Sequence, residues 1–317
     1  MKSALLVRLG GLGDLLAVLP SLRLLREGTS GFRLTLVCRE EYGTIFLETG
    51  VVDELEPESR PRFSRLYSES GSIPEDAASW LGGFDLVLGW MQSRGGGDLE
   101  NVLERSGKPY RLLVYDAKSD VPVGRYFFEA TARFLGPSVS IQASFDKCFF
   151  LPLTDAHTSG GRRLAEKKGI GPGSRYAVIH PGAGSAKKRW PFKKYLEMAI
   201  RLSGEGLAGL FVTGEAETDL EADLEKTALP SSWSHVPRPN VMDLAGLLAR
   251  STLYLGNDSG ITHLAAACGA RVLAVFRKET EAAWRPGGHS IVLSADDTAS
   301  VPFDDVSAAA RRILIGT

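Results

Sequence analysis

The chain has few cysteines, little net charge and no long apolar runs, and each of these features excludes a class of protein. Its three cysteines, Cys38, Cys148 and Cys268, are far apart and odd in number, which fits neither a disulfide framework nor a metal-ligand spacing. The formal net charge of -1 excludes the basic field of a dedicated nucleic-acid binder. No stretch reaches the ~18 uninterrupted apolar residues of a membrane span, and Arg8 and Asp14 interrupt the one run resembling a signal peptide. We therefore expect a reduced, cytoplasmic protein that binds no nucleic acid.

A complete dinucleotide-binding motif is also missing. The glycine-rich turn Gly10-Gly11-Leu12-Gly13-Asp14 follows the first apolar run, but its spacing does not match G-x-G-x-x-G. We therefore expect no NAD in the first domain, and no cofactor is predicted elsewhere.

The apolar pattern predicts an α/β protein of two doubly wound domains. Short apolar runs alternate with helical segments throughout, which is typical of parallel sheets with helices on both faces. The predicted strands are 3–9, 33–38, 51–55, 86–90, 111–115, 176–180, 209–213, 253–255, 271–276 and 291–293. The breaker cluster at 169–174 divides the chain into domains 1–170 and 171–317, with a cleft between them.

Two helices carry specific expectations. The helix predicted at 15–26 contains Pro20, which should kink it or delay its start. The last helix, 304–314, is a candidate to pack back on the first domain.

In the first domain, the candidate residues follow the first strand. Asp14 is either the N-cap of the next helix or a general base within reach of an acceptor hydroxyl. Arg8 either pairs with Asp14 or, together with Gly11, binds an anionic acceptor.

In the second domain, a glycine-rich loop follows the strand at 176–180. Its residues Gly182 and Ser185 precede the cations Lys188 and Arg189. Such a charge run is either a solvated face or a phosphate contact, and its position after a buried strand favours phosphate. His180, at the strand end, has no partner at a metal-ligand spacing.

Acidic residues follow the next strand. Glu215 or Glu217 could accept hydrogen bonds from both ribose hydroxyls, or could simply suit the positive end of the helix that follows.

The turn Asn257-Asp258-Ser259-Gly260 enters a helix of small residues. Asp258 and Ser259 are favoured capping residues, and Gly260 lets a ligand approach the backbone. Unpaired amides and the helix dipole suit a phosphate at this end, with His263 one turn further along, although an ordinary capped helix has the same sequence.

Basic residues also cluster in a proline- and serine-rich segment, 56–74. Arg60, Arg62 and Arg65 are either a solvated surface or a contact for an anionic ligand or a membrane surface.

Taken together, three motifs resemble glycosyltransferase family 9, the heptosyltransferase family of lipopolysaccharide core assembly. They are Arg8-Leu-Gly-Gly-Leu-Gly-Asp14, His180-Pro-Gly-Ala-Gly-Ser185 with Lys188-Arg-Trp-Pro191, and Asn257-Asp-Ser-Gly-Ile-Thr-His263. The resemblance implies a GT-B fold with the acceptor on the first domain and the nucleotide sugar on the second. It also implies inverting transfer without a metal, and no Asp-x-Asp pair stands in a site-like loop.

By position, the resemblance assigns a role to each candidate residue. Asp14 would be the catalytic base, and Glu217 would hold the ribose. Lys188 would contact the diphosphate, with Arg189 as the second choice. Asp258, Ser259, Gly260 and His263 would complete the diphosphate end. The expected partners are ADP-heptose and an anionic glycolipid at the inner face of the inner membrane.

The sequence leaves two alternatives open. One is a sugar-nucleotide epimerase of the same fold, and the other is a nucleotide-sugar-binding protein without catalysis. The chain also departs from the family pattern: Gly10-Gly11 replaces the common Ser or Thr, and Ile261-Thr262 precedes His263.

Overall fold

The computed structural model describes residues 1–29, 31–64, 75–92, 97–116, 119–136 and 144–316. The chain forms two compact units, Met1–Pro152 and Leu153–Thr317. Both are α/β units, as the apolar pattern predicts.

The first unit is built around a five-stranded parallel sheet. Its strands are β1 (Lys2–Val7), β2 (Phe32–Cys38), β3 (Glu54–Pro57), β4 (Leu86–Met91) and β5 (Tyr110–Val114). Its helices are α1 (Leu12–Gly28), α2 (Glu40–Glu48), α3 (Pro61–Ser64), α4 (Glu75–Gly82), α5 (Gly97–Ser106), α6 (Val123–Leu135) and α7 (Phe145–Cys148). The strand order is β3-β2-β1-β4-β5, so the chain starts at β1 and fills the sheet on either side of it.

Helix α1 begins at Leu12, three residues earlier than predicted, and continues through Pro20. The expectation of a later start was therefore wrong. Pro20 and its neighbours Leu19, Ser21 and Leu22 are all buried. Packing on both sides of the proline holds it inside a helix that local propensity disfavours.

The second unit contains a six-stranded parallel sheet. Its strands are β6 (Tyr176–His180), β7 (Ala208–Thr213), β8 (Trp233–Pro237), β9 (Leu253–Asn257), β10 (Val272–Arg277) and β11 (Ser290–Ala295). Its helices are α8 (Asp155–Lys167), α9 (Phe192–Gly204), α10 (Thr218–Lys226), α11 (Val241–Ala249), α12 (Gly260–Ala267), α13 (Lys278–Trp284) and α14 (Phe303–Ile315). The sequence pattern did not predict β8 or α13, because both are short and lack a clear apolar period.

The boundary between the units lies at 152/153 rather than 170/171. The predicted boundary makes α8 the end of the first domain, but in the structure α8 packs closely against α11 of the second unit. The helix is polar over most of its surface, and its contact face is made of small residues, which hydrophobic periodicity does not register.

The final helix, α14, also belongs to the second unit. Val306, Ala309, Ala310 and Ile313 are part of the core cluster around β9 and β10. The apolar face of α14 is therefore buried within the second unit.

Each sheet has a switch point, where the connections that leave two neighbouring strands run in opposite directions along the sheet. In the first unit it lies between β1 and β4, and in the second between β6 and β9. Ligands of open parallel sheets bind beyond the carboxyl ends of the strands at such points. We therefore expect the candidate site to lie at these two switch points.

The contact between α8 and α11 depends on glycine, and Gly161→Ala should destabilise the second unit. A Cβ at Gly161 would lie 2.2 Å from Leu247 N and 2.3 Å from Gly246 C, both of them backbone atoms. We expect a loss of about 1–3 kcal/mol, the usual cost of overpacking, measured by urea unfolding. Gly204→Ala is the control, because a Cβ at Gly204 meets nothing within 4 Å. Equal unfolding midpoints for the two variants would contradict the close contact.

Candidate functional site

In the first unit, the switch point holds an ion pair between Arg8 and Asp14. Arg8 Nη2 lies 2.7 Å from Asp14 Oδ1, and Arg8 Nε donates to the Asp14 carbonyl at 3.1 Å. Arg8 Nη1 donates to the carbonyl of Trp90, at the end of β4, at 2.9 Å. Burial lowers the pKa of the Arg8 guanidinium, and the adjacent Asp14 carboxylate opposes that shift. The guanidinium therefore bridges the two strands of the switch point.

The turn before α1 packs closely against the Asp14 side chain. Asp14 Oδ2 accepts a hydrogen bond from Gly11 N at 2.9 Å, which satisfies one free amide of the helix start. Gly10 has φ of +120°, and a Cβ there would lie 2.5 Å from Asp14 Oδ2. Glycine at this position is required both by the backbone and by the carboxylate.

Asp14 is the third residue of α1, whereas the N-cap is Gly11, so the prediction of Asp14 as N-cap was wrong. The residue still caps the helix, because its carboxylate reaches back to the Gly11 amide. Its other oxygen also accepts from Gln92 Nε2 at 2.9 Å, a contact that the sequence pattern does not indicate. The side chain of Asp14 remains 25% exposed, so its carboxylate is accessible from solvent.

Of the two alternatives for Arg8, the structure contains the pairing with Asp14. Arg8 is 2% exposed, and each of its three nitrogens donates within the unit. Arg8 is therefore placed to hold Asp14 in position, and its burial argues against direct contact with an acceptor.

The basic cluster after β3 is partly neutralised. Arg62 makes a two-pronged contact with the carboxylate of the fully buried Glu56, and Arg60 Nη1 lies 3.8 Å from Glu56 Oε2. The two arginines border a cavity of about 500 Å³ that also contains Trp80. β3 is the edge strand, separated from β1 by β2, so the structure does not bring these arginines next to Arg8. The third residue of the predicted cluster, Arg65, lies outside the described residues, as do residues 66–74.

In the second unit, Asn257 organises the switch point. It ends β9 and is fully buried, and its Oδ1 accepts from Trp190 N at 2.8 Å and from Tyr195 hydroxyl at 2.7 Å. Its Nδ2 donates to the carbonyls of Pro181 at 2.9 Å and Gly182 at 3.1 Å. Asn257 thus fixes both ends of the 181–190 loop against β9. In the sequence, this residue stands out only as part of a turn, although a polar residue that ends a buried strand is a signal for such a role.

Lys188 and Asp258 meet where these loops converge. Lys188 Nζ lies 2.7 Å from Asp258 Oδ2, and the lysine is one-third exposed whereas the aspartate is 6% exposed. The neighbouring Arg189 instead pairs with Asp219 Oδ2 at 2.5 Å. Burial alone would raise the pKa of Asp219, but the hydrogen bond and charge of Arg189 outweigh it and lower that pKa. Both predicted phosphate-binding cations are therefore held in position by carboxylates of the second unit.

Glu217 lies beside the glycine-rich loop. Its Oε2 accepts from Gly214 N at 2.8 Å, and a Cβ at Gly182 would lie 2.6 Å from its carboxylate carbon. Glu217 is buried and Glu215 is exposed, so Glu217 is the acidic residue that turns toward the loop. Burial lowers the pKa of His180, against an opposing effect of Glu217, and His180 Nδ1 lies 2.9 Å from the Val212 carbonyl. His180 thus packs at the strand end.

The candidate site of the second unit also includes the start of α12, which is capped. Ser259 is the N-cap, and its hydroxyl accepts from Thr262 N at 3.3 Å. Gly260 is the first helical residue, and His263 packs edge-on against Trp284 of α13, with ring centroids 6.0 Å apart. Ser185 is exposed and makes no side-chain cap for the 3₁₀ turn at 186–188. The capped-helix prediction is confirmed, and Asp258, the residue just before the N-cap, contacts Lys188.

Asn257→Ala should damage both stability and ligand binding. It would leave two buried donors and two buried carbonyls without partners, at about 1–3 kcal/mol for each group that water cannot reach. We expect a loss of at least about 2 kcal/mol in chemical unfolding and a weaker response to nucleotide in the same assay. Asn240→Ala removes an exposed cap of α11 and serves as the control. Wild-type stability of Asn257→Ala would contradict the role given to the Asn257 side chain.

The chain matches the model of glycosyltransferase family 9 (heptosyltransferase) over residues 103–306, more than half of its length. The chain belongs to this family. It is therefore a glycosyltransferase, and the epimerase alternative is set aside.

Relatives and solved structures agree with this assignment. Lipopolysaccharide heptosyltransferase 3 of Escherichia coli is 25% identical over 148 residues, which span 45% of this chain and 44% of that protein. The crystal structure of a family 9 glycosyl transferase from Veillonella parvula superposes with a TM-score of 0.82 at 17% identity, covering 100% of this chain and 98% of that one. The E. coli ADP-heptose LPS heptosyltransferase II gives a TM-score of 0.77 at 15% identity, covering 100% and 99%. The predicted GT-B fold class is confirmed.

No helix among the described residues is long and apolar enough to cross a membrane. No group of three or more His, Cys, Asp or Glu side chains within the same residues could hold a metal ion.

Proposed function

We propose that this family 9 glycosyltransferase moves a heptose from ADP-heptose to an inner-core lipopolysaccharide acceptor, with inversion and without a metal ion. The observation that carries the proposal is the convergence of Lys188, the start of α12 and Asp258 at the switch point of the second sheet. A diphosphate fits this chemistry because Lys188 contacts the residue just before the N-cap of α12, and the first amides of a helix have no partners within it.

The second unit would bind the donor. Lys188 and Arg189 would contact the diphosphate, with the Gly182–Ser185 loop and the Ser259–Gly260 helix start supplying backbone amides. Glu217, buried beside Gly182, would accept hydrogen bonds from the ribose hydroxyls. His263 would approach the diphosphate from the next turn of α12. The names of the similar E. coli proteins, one of which acts on ADP-heptose, support an ADP-linked donor.

The first unit would activate the acceptor. The acceptor hydroxyl oxygen forms a bond to the anomeric carbon of the donor from the face opposite the diphosphate, and the bond from that carbon to the diphosphate oxygen breaks. Asp14 takes the hydroxyl proton, and ADP leaves with the bonding electron pair. Arg8 and Gln92 hold the carboxylate in position, and Gly11 lines the same turn. A single displacement of this kind inverts the anomeric configuration.

Charge on the leaving ADP would be stabilised by the protein alone. Lys188, Arg189 and the dipole of α12 are fixed before the reaction, and preorganised positive groups of this kind stabilise a developing anion strongly.

The acceptor is proposed to be an anionic glycolipid presented at the inner face of the inner membrane. Arg60 and Arg62 stay candidates for contact with it, through the exposed parts of their side chains, since about half of Arg60 is exposed. The negative surface charge of the membrane attracts basic side chains, and salt screens this attraction.

A thermal-shift screen of ADP-, UDP- and GDP-sugars tests the donor assignment. A ligand that binds only the native state stabilises it by about 2.7 kcal/mol at a hundredfold excess over its dissociation constant. We expect ADP-heptose to give the largest shift and ADP a smaller one. A larger shift with UDP- or GDP-sugars would contradict the ADP assignment. Binding without turnover on any core acceptor would contradict catalysis and favour a nucleotide-sugar-binding role.

A further inference from the structure

A second cavity, of about 420 Å³, opens at the amino edge of the second sheet, away from the proposed donor site. It is lined by Arg175, Arg250, Ser251, Thr252, Gly269 and Arg271. Three of these residues directly precede or lie next to the starts of β6, β9 and β10, which are neighbours in the sheet. Because these strands are parallel, their amino ends share one edge, whereas Lys188 and Asp258 follow carboxyl ends.

The cavity is strongly cationic. Three of its six lining residues are arginines, and none is acidic. Arg271 makes no ion pair among the described residues. Arg250 Nη2 lies 3.4 Å from Asp155 Oδ1, but Asp155 is fully exposed, and such surface pairs contribute little.

Helix ends explain only part of this arrangement. Arg250 follows α11 directly, where a cation suits the negative end of the helix dipole. Arg175 instead follows the turn at 171–174 and has no helix end before it; one of its nitrogens donates to the Leu314 carbonyl at 3.3 Å. Arg175, Arg250 and Arg271 therefore bring positive charge to one cavity whose lining holds no acidic residue.

We propose that this cavity binds a phosphate-bearing anion. Guanidinium groups match phosphate oxygens with paired hydrogen bonds, and the Thr252 hydroxyl adds a neutral donor. The volume falls within the ~300–1,000 Å³ range of small-molecule sites, so it admits a diphosphate or a sugar phosphate. The phosphate comes either from a soluble metabolite or from a lipid headgroup. This inference does not depend on the proposed transferase substrate.

Pyrophosphate binding to the full-length protein tests the site. Calorimetric titrations are made with ADP at saturation, so that the proposed donor site is filled, and are repeated in Lys188→Ala. We expect Arg271→Gln and Arg175→Gln each to weaken pyrophosphate binding by about tenfold or more, the usual loss for a hydrogen bond to a charged group. Glutamine keeps much of the apolar stem, and thermal unfolding without anion checks that each variant folds.

Arg311→Gln is the matched control, since Arg311 lies in the same unit, is exposed and pairs with Glu205. It should bind pyrophosphate as the wild type does. Equal affinities for wild type, Arg271→Gln and Arg175→Gln would overturn the proposal, as would an equal loss in Arg311→Gln. Lowered unfolding temperatures with unchanged affinity would show that these arginines only stabilise the fold, and would also overturn the proposal.

Vesicles distinguish the two sources of phosphate. Cosedimentation with phosphatidylglycerol vesicles, compared with phosphatidylcholine vesicles, should be lost in Arg271→Gln if the ligand is a lipid headgroup. Binding of pyrophosphate without vesicle binding supports a soluble ligand at the same site. Binding of neither probe by the wild type would overturn the proposal.

Discussion

Asp14→Asn is expected to reduce sugar transfer by about 10²–10⁴-fold, the usual contribution of a general base. Asparagine is nearly the same shape, and its side-chain oxygen can still accept from Gly11 N, so the turn before α1 should persist. It cannot take the proton of the acceptor hydroxyl. Initial rates with saturating donor and acceptor measure the loss, and calorimetry should give an unchanged affinity for ADP.

Asp85→Asn is the matched control for this variant. Asp85 is exposed, and its carboxylate accepts from Ser3 N at 2.7 Å, so it also bonds to a backbone amide of the first unit. Asp14→Ala is less informative, because it removes both side-chain oxygens, whereas asparagine keeps one that can accept a hydrogen bond from Gly11 N or the buried Arg8. Near-normal transfer by a folded Asp14→Asn would show that Asp14 is a helix cap and no more.

Lys188→Met should lower kcat by about 10²–10³-fold, because it removes a fixed positive charge from the leaving diphosphate. It also leaves Asp258, 6% exposed, as an unpaired carboxylate near the phosphates. ADP affinity should therefore fall together with kcat. Steady-state kinetics and calorimetry with ADP separate the two effects.

Lys187→Met controls for the loss of one lysine from the same loop, since Lys187 is adjacent and exposed. The double variant Lys188→Met/Asp258→Asn removes both charges and should bind ADP more tightly than Lys188→Met alone. If Lys187→Met and Lys188→Met have equal kinetics, the charge run is a solvated face.

The architecture was predictable from sequence because it depends on local patterns. Buried parallel strands appear as short apolar runs, and the 176–180 and 253–255 runs fall inside β6 and β9. The glycine-rich turns after strands also indicated which sheet edge carries the unusual residues. The start of α1 and the position of α8 were not predictable, since packing around Pro20 and between glycines leaves no period in the sequence.

The candidate site was predictable in its motifs and in the local pairing of Arg8 with Asp14, but not in its pairings between distant residues. The family resemblance predicts that Lys188 and Asp258 lie at the diphosphate end of the ligand. In the structure, the two side chains contact each other. Asn257, which anchors the loop, and Gln92, which contacts Asp14, were missed because their partners are distant in sequence. Such contacts follow from strand order, which residue spacing alone does not determine.

Release of ADP from ADP-heptose by the purified wild-type protein is the most direct measurement of the proposed transfer. It should be followed with and without an inner-core acceptor, in the presence of a chelator. We predict release only when the acceptor is present, undiminished by the chelator, with inverted configuration at the anomeric carbon of the product. Release without acceptor, loss of release with chelator, or a product of retained configuration would contradict it.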